Sequence, residues 1–482
     1  MQKKNLFGIA LLCASVFLFT GCKEIMSHFD NSVDSHLQVA DKLTIIGVGD
    51  TYQITKDVDY KTISDADPSF ESLDKAIATV EPKTGVVKAL KSGDARIKIS
   101  LPDNGLYLDA SAVIDIKVRV QNAEQLVAEA KNASTTEKTT IFLDGSKTIE
   151  LTANLDLYEK EVTIEGNGAI ISTESSFLVS KSFILKDLKV DITGGTKQFI
   201  QIDPSKAGKK NQDVYKDAAV KEFFLIDEIT LNNVWIKNLH NSLIDPMKLG
   251  PLALTTLNIE NCIIQLDYNT TKSFIDFSRV QPDKDKTTGQ IPADWPYLTD
   301  RGAIKNVNIK NNTIYNLQAA SAYFIRFANQ SNASGAFGTK NGTSTFDHQF
   351  LNNTIYNVFP NQNFGNNTVN NKVSAITMKD NIFGQVKNIN KYVQNQQAPV
   401  MTLSNNFIFG DATQNNDYKD DMKSTVDNKE YTYQIATKLG DAPFEIPTAV
   451  LDLTKANGGL NLKPSGDAAT AKAGDPRWYE AN

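Results

Sequence analysis

A short polar bend recurs from residue 162 onward, each time between two short apolar runs. Alternating runs such as Val162-Thr-Ile, Val307-Asn-Ile and Ile376-Thr-Met lead into it, and runs such as Val234-Trp-Ile, Thr313-Ile-Tyr and Thr354-Ile-Tyr leave it. With the second polar residue of each bend aligned, the anchors are Asn167, Asp187, Asn233, Asn261, Asn312, Asn353, Asn381 and Asn406. They step by 20, 46, 28, 51, 41, 28 and 25 residues. The short steps match one coil of a parallel β-helix, and the long ones a coil plus an insertion. A two-residue bend between buried strands needs one residue near the left-handed region, which Asn and Asp tolerate best after Gly. In stacked coils each Asn amide can bond the turn of the next, forming a ladder. Loops or glycosylation sites alone would not keep a fixed offset to apolar runs on both sides. Asn312 and Asn353, each before an identical Thr-Ile-Tyr, are expected to share one buried left-handed position.

A third strand follows the bend and its second apolar run. It reads Ser176-Phe-Leu-Val, Gln198-Phe-Ile-Gln-Ile, Ser242-Leu-Ile-Asp, Ser273-Phe-Ile-Asp-Phe and Tyr323-Phe-Ile-Arg-Phe. Long stretches leave these strands (204–222, 280–302 and 331–346), whereas the Asn bends stay short. Alternation places Ile200, Ile202, Ile275, Phe277, Ile325 and Phe327 in the core. The outer face then carries Phe199, Gln201, Phe274, Asp276, Phe324 and Arg326. Exposed aromatics beside polar groups suit a sugar's apolar face and hydroxyls, with Trp295 and Tyr297 as lid aromatics. The other reading makes these phenylalanines a satellite core under the long stretches.

Composition narrows the field. The 482 residues are 41% hydrophobic and 22% charged, with a net charge of −6, so the chain has material for a large core and no basic nucleic-acid footprint. Three cysteines make no disulfide framework, and four histidines leave little for a zinc centre. Residues 37–120 show short alternating runs with turn residues between them, and Val113-Ile-Asp-Ile-Lys-Val-Arg-Val has strict period two. Gly85 and Gly93 punctuate hairpins there. Residues 121–130 read as a short amphipathic helix with Leu126, Val127 and Ala130 on one face. The first 22 residues combine Lys3 and Lys4, an apolar stretch from Leu6 to Thr20 too short to span a bilayer comfortably, and a Gly21-Cys22 junction.

Three resemblances follow. The N-terminus resembles a bacterial lipoprotein signal, which implies a signal peptide over 1–21, lipidation of Cys22 and a tether over 22–36; Lys23-Glu24 resembles a Bacteroidetes surface-export signal. The run from Ala78 to Ile97 resembles the group-two bacterial immunoglobulin-like domain, which implies a β-sandwich spacer over 37–120. The repeats, with the ending Ala473-Gly-Asp-Pro-Arg-Trp478, resemble Bacteroidetes lipoproteins with pectate-lyase-like β-helices of unknown function. That likeness implies an all-β chain, with the sandwich followed by a right-handed parallel β-helix over 121–482. It also implies glycan handling at the outer surface beside polysaccharide-uptake systems.

The chemistry is sparse. A uronate lyase needs a base, a cation for the developing charge and a proton for the leaving oxygen. Relatives by resemblance use Arg or Lys with Asp-bound calcium, and Asp245, Asp276, Arg279 and Arg326 are the clustered candidates. Asp276 and Arg326, at matching positions of neighbouring coils, equally suit a plain cross-strand ion pair. Lys237 and Asn238 stand where a pectate-lyase strand would want Asp, and on another sheet. A hydrolase would need a close carboxylate pair, and Asp420-Asp421 reads as solvated loop. His240 and His348 read as surface residues in turns, and Cys262 as an inert core thiol. The expectation is a lipid-anchored, noncatalytic polysaccharide-binding protein of an uptake complex, with Gln201, Asp276, Trp295 and Arg326 on the glycan and no cofactor. The rivals are a lyase using Asp276, Arg326 and Ca2+, and an adhesin or structural solenoid.

Overall fold

The computed structural model describes residues 32–194, 198–202, 224–245, 252–267, 273–276, 288, 303–318, 323–326, 347–358, 375–386, 389, 400–410, 422–426 and 429–479. It is mostly β, and it divides into two compact units, residues 1–118 and 119–482.

The first unit has two main sheets, beside a two-stranded ribbon of Gln38–Val39 and Tyr60–Lys61. One orders Thr44–Gly47, Ala110–Arg119, Gly93–Leu101 and Ser69–Ser72; the other orders Thr51–Gln53, Val86–Ala89 and Ala78–Val80. Period-two alternation puts Ile97, Ile99, Ile114, Ile116 and Val118 inward to pack with Phe70, Ala78 and Val87. Gly85 makes the hairpin turn at φ +73, and a Cβ there would come within 2.9 Å of the Phe70 ring. Gly93 instead opens a nine-residue strand. Burial by itself would raise the Asp59 carboxyl, but the Tyr52 hydroxyl, the Thr55 N–H and the Lys42 ammonium outweigh it and hold it below its usual value.

The second unit opens with the helix Ala123–Asn132, whose Asn122 side chain accepts from the Gln125 N–H as an N-cap. Leu126 and Ala130 are buried, but Val127 is exposed, so the apolar face is narrower than the sequence reading had it. Parallel strands then stack in three rows. Row one holds Leu155–Leu157, Phe177–Val179, Ile200–Ile202, Ile244–Asp245, Ile275–Asp276 and Ile325–Arg326 in one six-stranded sheet. Rows two and three meet at the polar bend and merge into one seventeen-stranded sheet, because Phe183–Ile192 and Phe224–Leu239 run through it unbroken. Val162, Phe183, Ile229, Leu257, Val307, His348, Ile376 and Met401 stack along row two. Ile171, Val190, Ile236, Ile264, Ile314, Ile355, Phe383 and Ile408 do so along row three. This repetition of parallel strands is consistent with a parallel β-helix.

The bend is built from two positions with different tasks, which corrects the anchor alignment. The left-handed residue is Asp187, Asn233, Asn261, Asn311, Asn352, Asp380 or Asn405, with φ between 47° and 57°. Asn312 and Asn353 are therefore not left-handed; they are the next residue, and so are Asn381 and Asn406. Those four side chains are buried in the interior ladder. Asn353 Oδ1 accepts from the Asn312 N–H (3.2 Å) and amide (2.9 Å), while Asn353 Nδ2 donates to Ile309 O (2.7 Å) and to Asn381 Oδ1 (2.9 Å). Asn381 and Asn406 repeat the pattern.

The C-terminal segment lies along the outer face of row three. Phe444, Leu462, Ala468, Ala473 and Trp478 pack on Ile382, Phe407 and Phe409, while Leu451 and Leu453 pack on Ile263 and Tyr315. The ending quoted above is a clasp. Gly474 N donates to Asp380 O (2.7 Å), Asp475 N to Thr354 Oγ1 (3.1 Å), and Trp478 Nε1 to Thr313 Oγ1 (2.9 Å). Arg477 pairs with Asp475 at 2.7 Å and reaches the carbonyls of Cys262 and Asn311. Gly474 sits at φ +92, and a Cβ there would lie 2.7 Å from Thr354 Oγ1, so glycine is required.

Candidate functional site

Row one carries the residues singled out for ligand contact. The register aligns Ile200 with Ile244, Ile244 with Ile275, and Ile275 with Ile325, and all four are buried. The next position forms a column of Gln201, Asp245, Asp276 and Arg326. Three of the four expected ligand residues thus lie on one line, with Asp245 among them. Trp295, Tyr297, Arg279, Phe277, Phe327 and Asp420-Asp421 lie outside the described residues, as does Cys22 with the whole N-terminal signal.

The phenylalanines do not face outward. Phe199, Phe274 and Phe324 are buried to 2% or less, and the Phe274 and Phe324 rings stack with centroids 5.0 Å apart. Each stands one residue before a strand of two or three residues, in the bend that enters it. Alternation holds only within an extended strand, so a bend just before it lets the Phe and the following Ile both turn inward. These rings are interior packing and supply no sugar platform.

The polar column is not uniformly open either. Asp245 and Asp276 are buried, Gln201 is partly buried and Arg326 is half-buried. Gln198 Nε2 donates to Asp245 Oδ2 at 3.2 Å. Arg326 Nη1 lies 3.9 Å from Asp276 Oδ2, as the cross-strand pairing implied, and its guanidinium carbon lies 5.6 Å from the centre of the Tyr323 ring. Arg326 Nε is buried, with no hydrogen-bond partner among the described residues. The carboxylate and the ring flank the guanidinium, and the exposed part of the side chain, not the buried Nε, is what an incoming oxygen can reach.

The remaining candidates resolve individually. Cys262 is buried, and burial pushes its thiol up to about 12, so it is no nucleophile. His348 is not in a surface turn: it sits 1% exposed in the strand Asp347–Leu351, facing the interior, with Nε2 3.2 Å from Ile304 O. Burial pushes its pKa down to about 4. His240 is partly buried, with Nδ1 3.1 Å from Asp267 O. Lys237 pairs at 2.8 Å with Asp191 on the outer face of row three. Among the described residues, no group of three or more His, Cys, Asp or Glu side chains could hold a metal ion, and no helix is long and apolar enough to cross a membrane.

Gln198 and Tyr323 join the site although neither is among the expected ligand contacts. Both stand at the same offset before the aligned isoleucines, a signal that a register-based reading could have used.

In comparison with known proteins, residues 36–105 match the bacterial Ig-like domain (group 2), so the first unit contains such a domain. No curated protein matches the chain.

Proposed function

We propose that the second unit is a right-handed parallel β-helix and that the chain is a noncatalytic polysaccharide-binding lipoprotein. In this reading it is anchored to the outer membrane through Cys22, faces the cell exterior and serves a polysaccharide-uptake complex. The observation that carries the binding reading is Arg326: partly exposed beside the Asp276 carboxylate and the Tyr323 ring, in one column with Gln201. Fixed donors and acceptors along a ladder suit the hydroxyls and ring oxygens of an extended glycan. A lyase would need Arg326 free to take a proton, whereas it is held against a buried carboxylate.

Affinity electrophoresis of the full chain on plant and host polysaccharides, read together with absorbance of unsaturated products, tests this. The expected result is retardation by at least one glycan, weakened about tenfold in Arg326→Ala, with no unsaturated product with or without calcium. Product that disappears in Arg326→Ala would establish the lyase instead. Retention on no glycan would leave the adhesin reading. Cys22→Ser should release the protein from membranes.

A further inference from the structure

The outer face of row three changes character along its length. Its first outward column reads Thr148, Ile170, Lys189, Trp235, Ile263, Thr313, Thr354, Ile382 and Phe407. From Ile263 onward the outward face carries Tyr315, Tyr356, Ile382, Phe407 and Phe409, and the C-terminal segment packs on them. Over the preceding repeats the second outward column is Glu150, Ser172, Asp191 and Lys237, all polar. Stability of the covering segment asks for apolar residues beneath it, so a polar column needs another explanation.

The segment reaches that polar stretch and overhangs it. Lys189 Nζ donates to Leu453 O at 2.7 Å while lying 5.1 Å from the centre of the Trp235 ring, which fixes the Val450–Thr454 loop. Between the loop and the strands lies a cleft of about 480 Å³, lined by Thr148, Glu150, Ser172, Asp191 and Lys237, with Ile170 and Leu451 among its apolar residues. Four parallel strands put the ends of the polar column about 14 Å apart, a span suited to a short oligosaccharide. Carboxylates and hydroxyls at one height on successive strands can bond sugar hydroxyls, and the apolar residues can take a sugar's C–H face. Charge selects among sugars. Glu150, Asp191 and Asp452 face the cleft against Lys237, which is already paired with Asp191. Lys455 pairs with Asp452 and Lys189 is committed to Leu453 O, so the lining carries no net positive charge to attract uronates and other acidic sugars.

We infer that this cleft is a second saccharide site, separate from row one, that takes the end or a short stretch of a neutral glycan. The inference shares with the proposed function only the glycan as ligand class; it needs neither Arg326 nor row one.

The test uses the full chain and neutral gluco-, xylo-, manno- and galacto-configured trisaccharides, with saturation-transfer NMR and calorimetry. At least one should bind. Ser172→Trp, which fills the cleft, should weaken it at least tenfold, and Glu150→Gln at least threefold, with Lys88→Ala, exposed on the first unit, unchanged; Arg326→Ala is run beside them to tell whether row one holds the same sugar. If Ser172→Trp melts early, Glu150→Gln and Thr454→Val decide. Binding by none of the trisaccharides would overturn the inference. So would wild-type affinity in the cleft variants, and loss confined to Arg326→Ala would return the ligand to row one.

Discussion

Early and late repeats turn the same corner with different interiors. At the position after the left-handed residue, the early repeats carry Leu188, Val234 and Cys262, whereas the late ones carry Asn312, Asn353, Asn381 and Asn406. The backbone is alike, with φ between 47° and 57° at the preceding residue in both stretches. The difference teaches that the bend and the ladder are separable: backbone conformation makes the corner, and the buried amides lock neighbouring corners together. Cys262 stands at the junction. Its N–H donates to Asn312 Oδ1, and its thiol, which can donate once, lies 3.2 Å from Glu260 O and 3.6 Å from Leu231 O, where Asn312 Nδ2 donates to Ile259 O at 2.7 Å. Leu231 and Ile259 are register partners, so the thiol occupies a weak rung of the same ladder.

The largest expected effect comes from the clasp, which sits on the late half and reaches back to Cys262. Trp478→Ala should cost about 4 kcal/mol, from the lost buried ring and its lost bond to Thr313 Oγ1, which keeps Asp475 as acceptor. A melting temperature within about 1 °C of the parent, which is under about 1 kcal/mol for a unit of this size, would show that the clasp is ornamental.

Neighbouring asparagines then divide the two tasks. Asn353→Leu orphans the Asn312 N–H and one of its two amide hydrogens inside the core, the other keeping Ile259 O, and should cost about 3 kcal/mol. Asn352→Ala removes the left-handed preference and one part-buried bond to Asn311 Oδ1 and should cost about 1 kcal/mol, with Asn352→Gly costing less. Equal denaturation midpoints for Asn353→Leu and Asn352→Ala would erase the distinction.

Histidine adds a pH dependence confined to the late half. The folded His348 has its pKa lowered from 6.5 to about 4, so its neutral form is the one the fold accepts. Its contribution is therefore complete above pH 6.5 and is lost as pH falls toward 4, amounting to about 3 kcal/mol. Urea unfolding of His348→Leu should show a flatter stability profile across that window. A profile parallel to the parent's would place the acid sensitivity elsewhere.

The smallest effect sharpens the comparison most. Cys262→Asn should extend the ladder by one rung, bonding Leu231 O and Asn312, and raise stability by about 1 kcal/mol. Destabilisation would mean that the early half lacks room for the amide.

Much of this architecture was legible in the residues. The polar bends between apolar runs gave the repeats, the Phe-Ile offset gave row one, and Ala78 to Ile97 gave the sandwich. Less of the site was legible. Gln201, Asp276 and Arg326 do share a column, but the expected aromatic face beside them turned inward at Phe199, Phe274 and Phe324. A period-two pattern says which residues share a face only while the strand stays extended, and these strands are two or three residues long.

By itself, then, the sequence determined the bends and strands, because left-handed tolerance and alternation are properties of single residues and their immediate neighbours. Only the tertiary structure decided which of two adjacent asparagines is left-handed and which is buried in the ladder. It also decided that His348 lies in the core and that the clasp closes over Thr313 and Thr354. Each of these depends on what a repeat some 25 to 50 residues away, or the C-terminal segment more than 100 residues on, places against the residue in question. Parallel stacking brings such distant segments within hydrogen-bond reach, and local sequence carries no record of that distance.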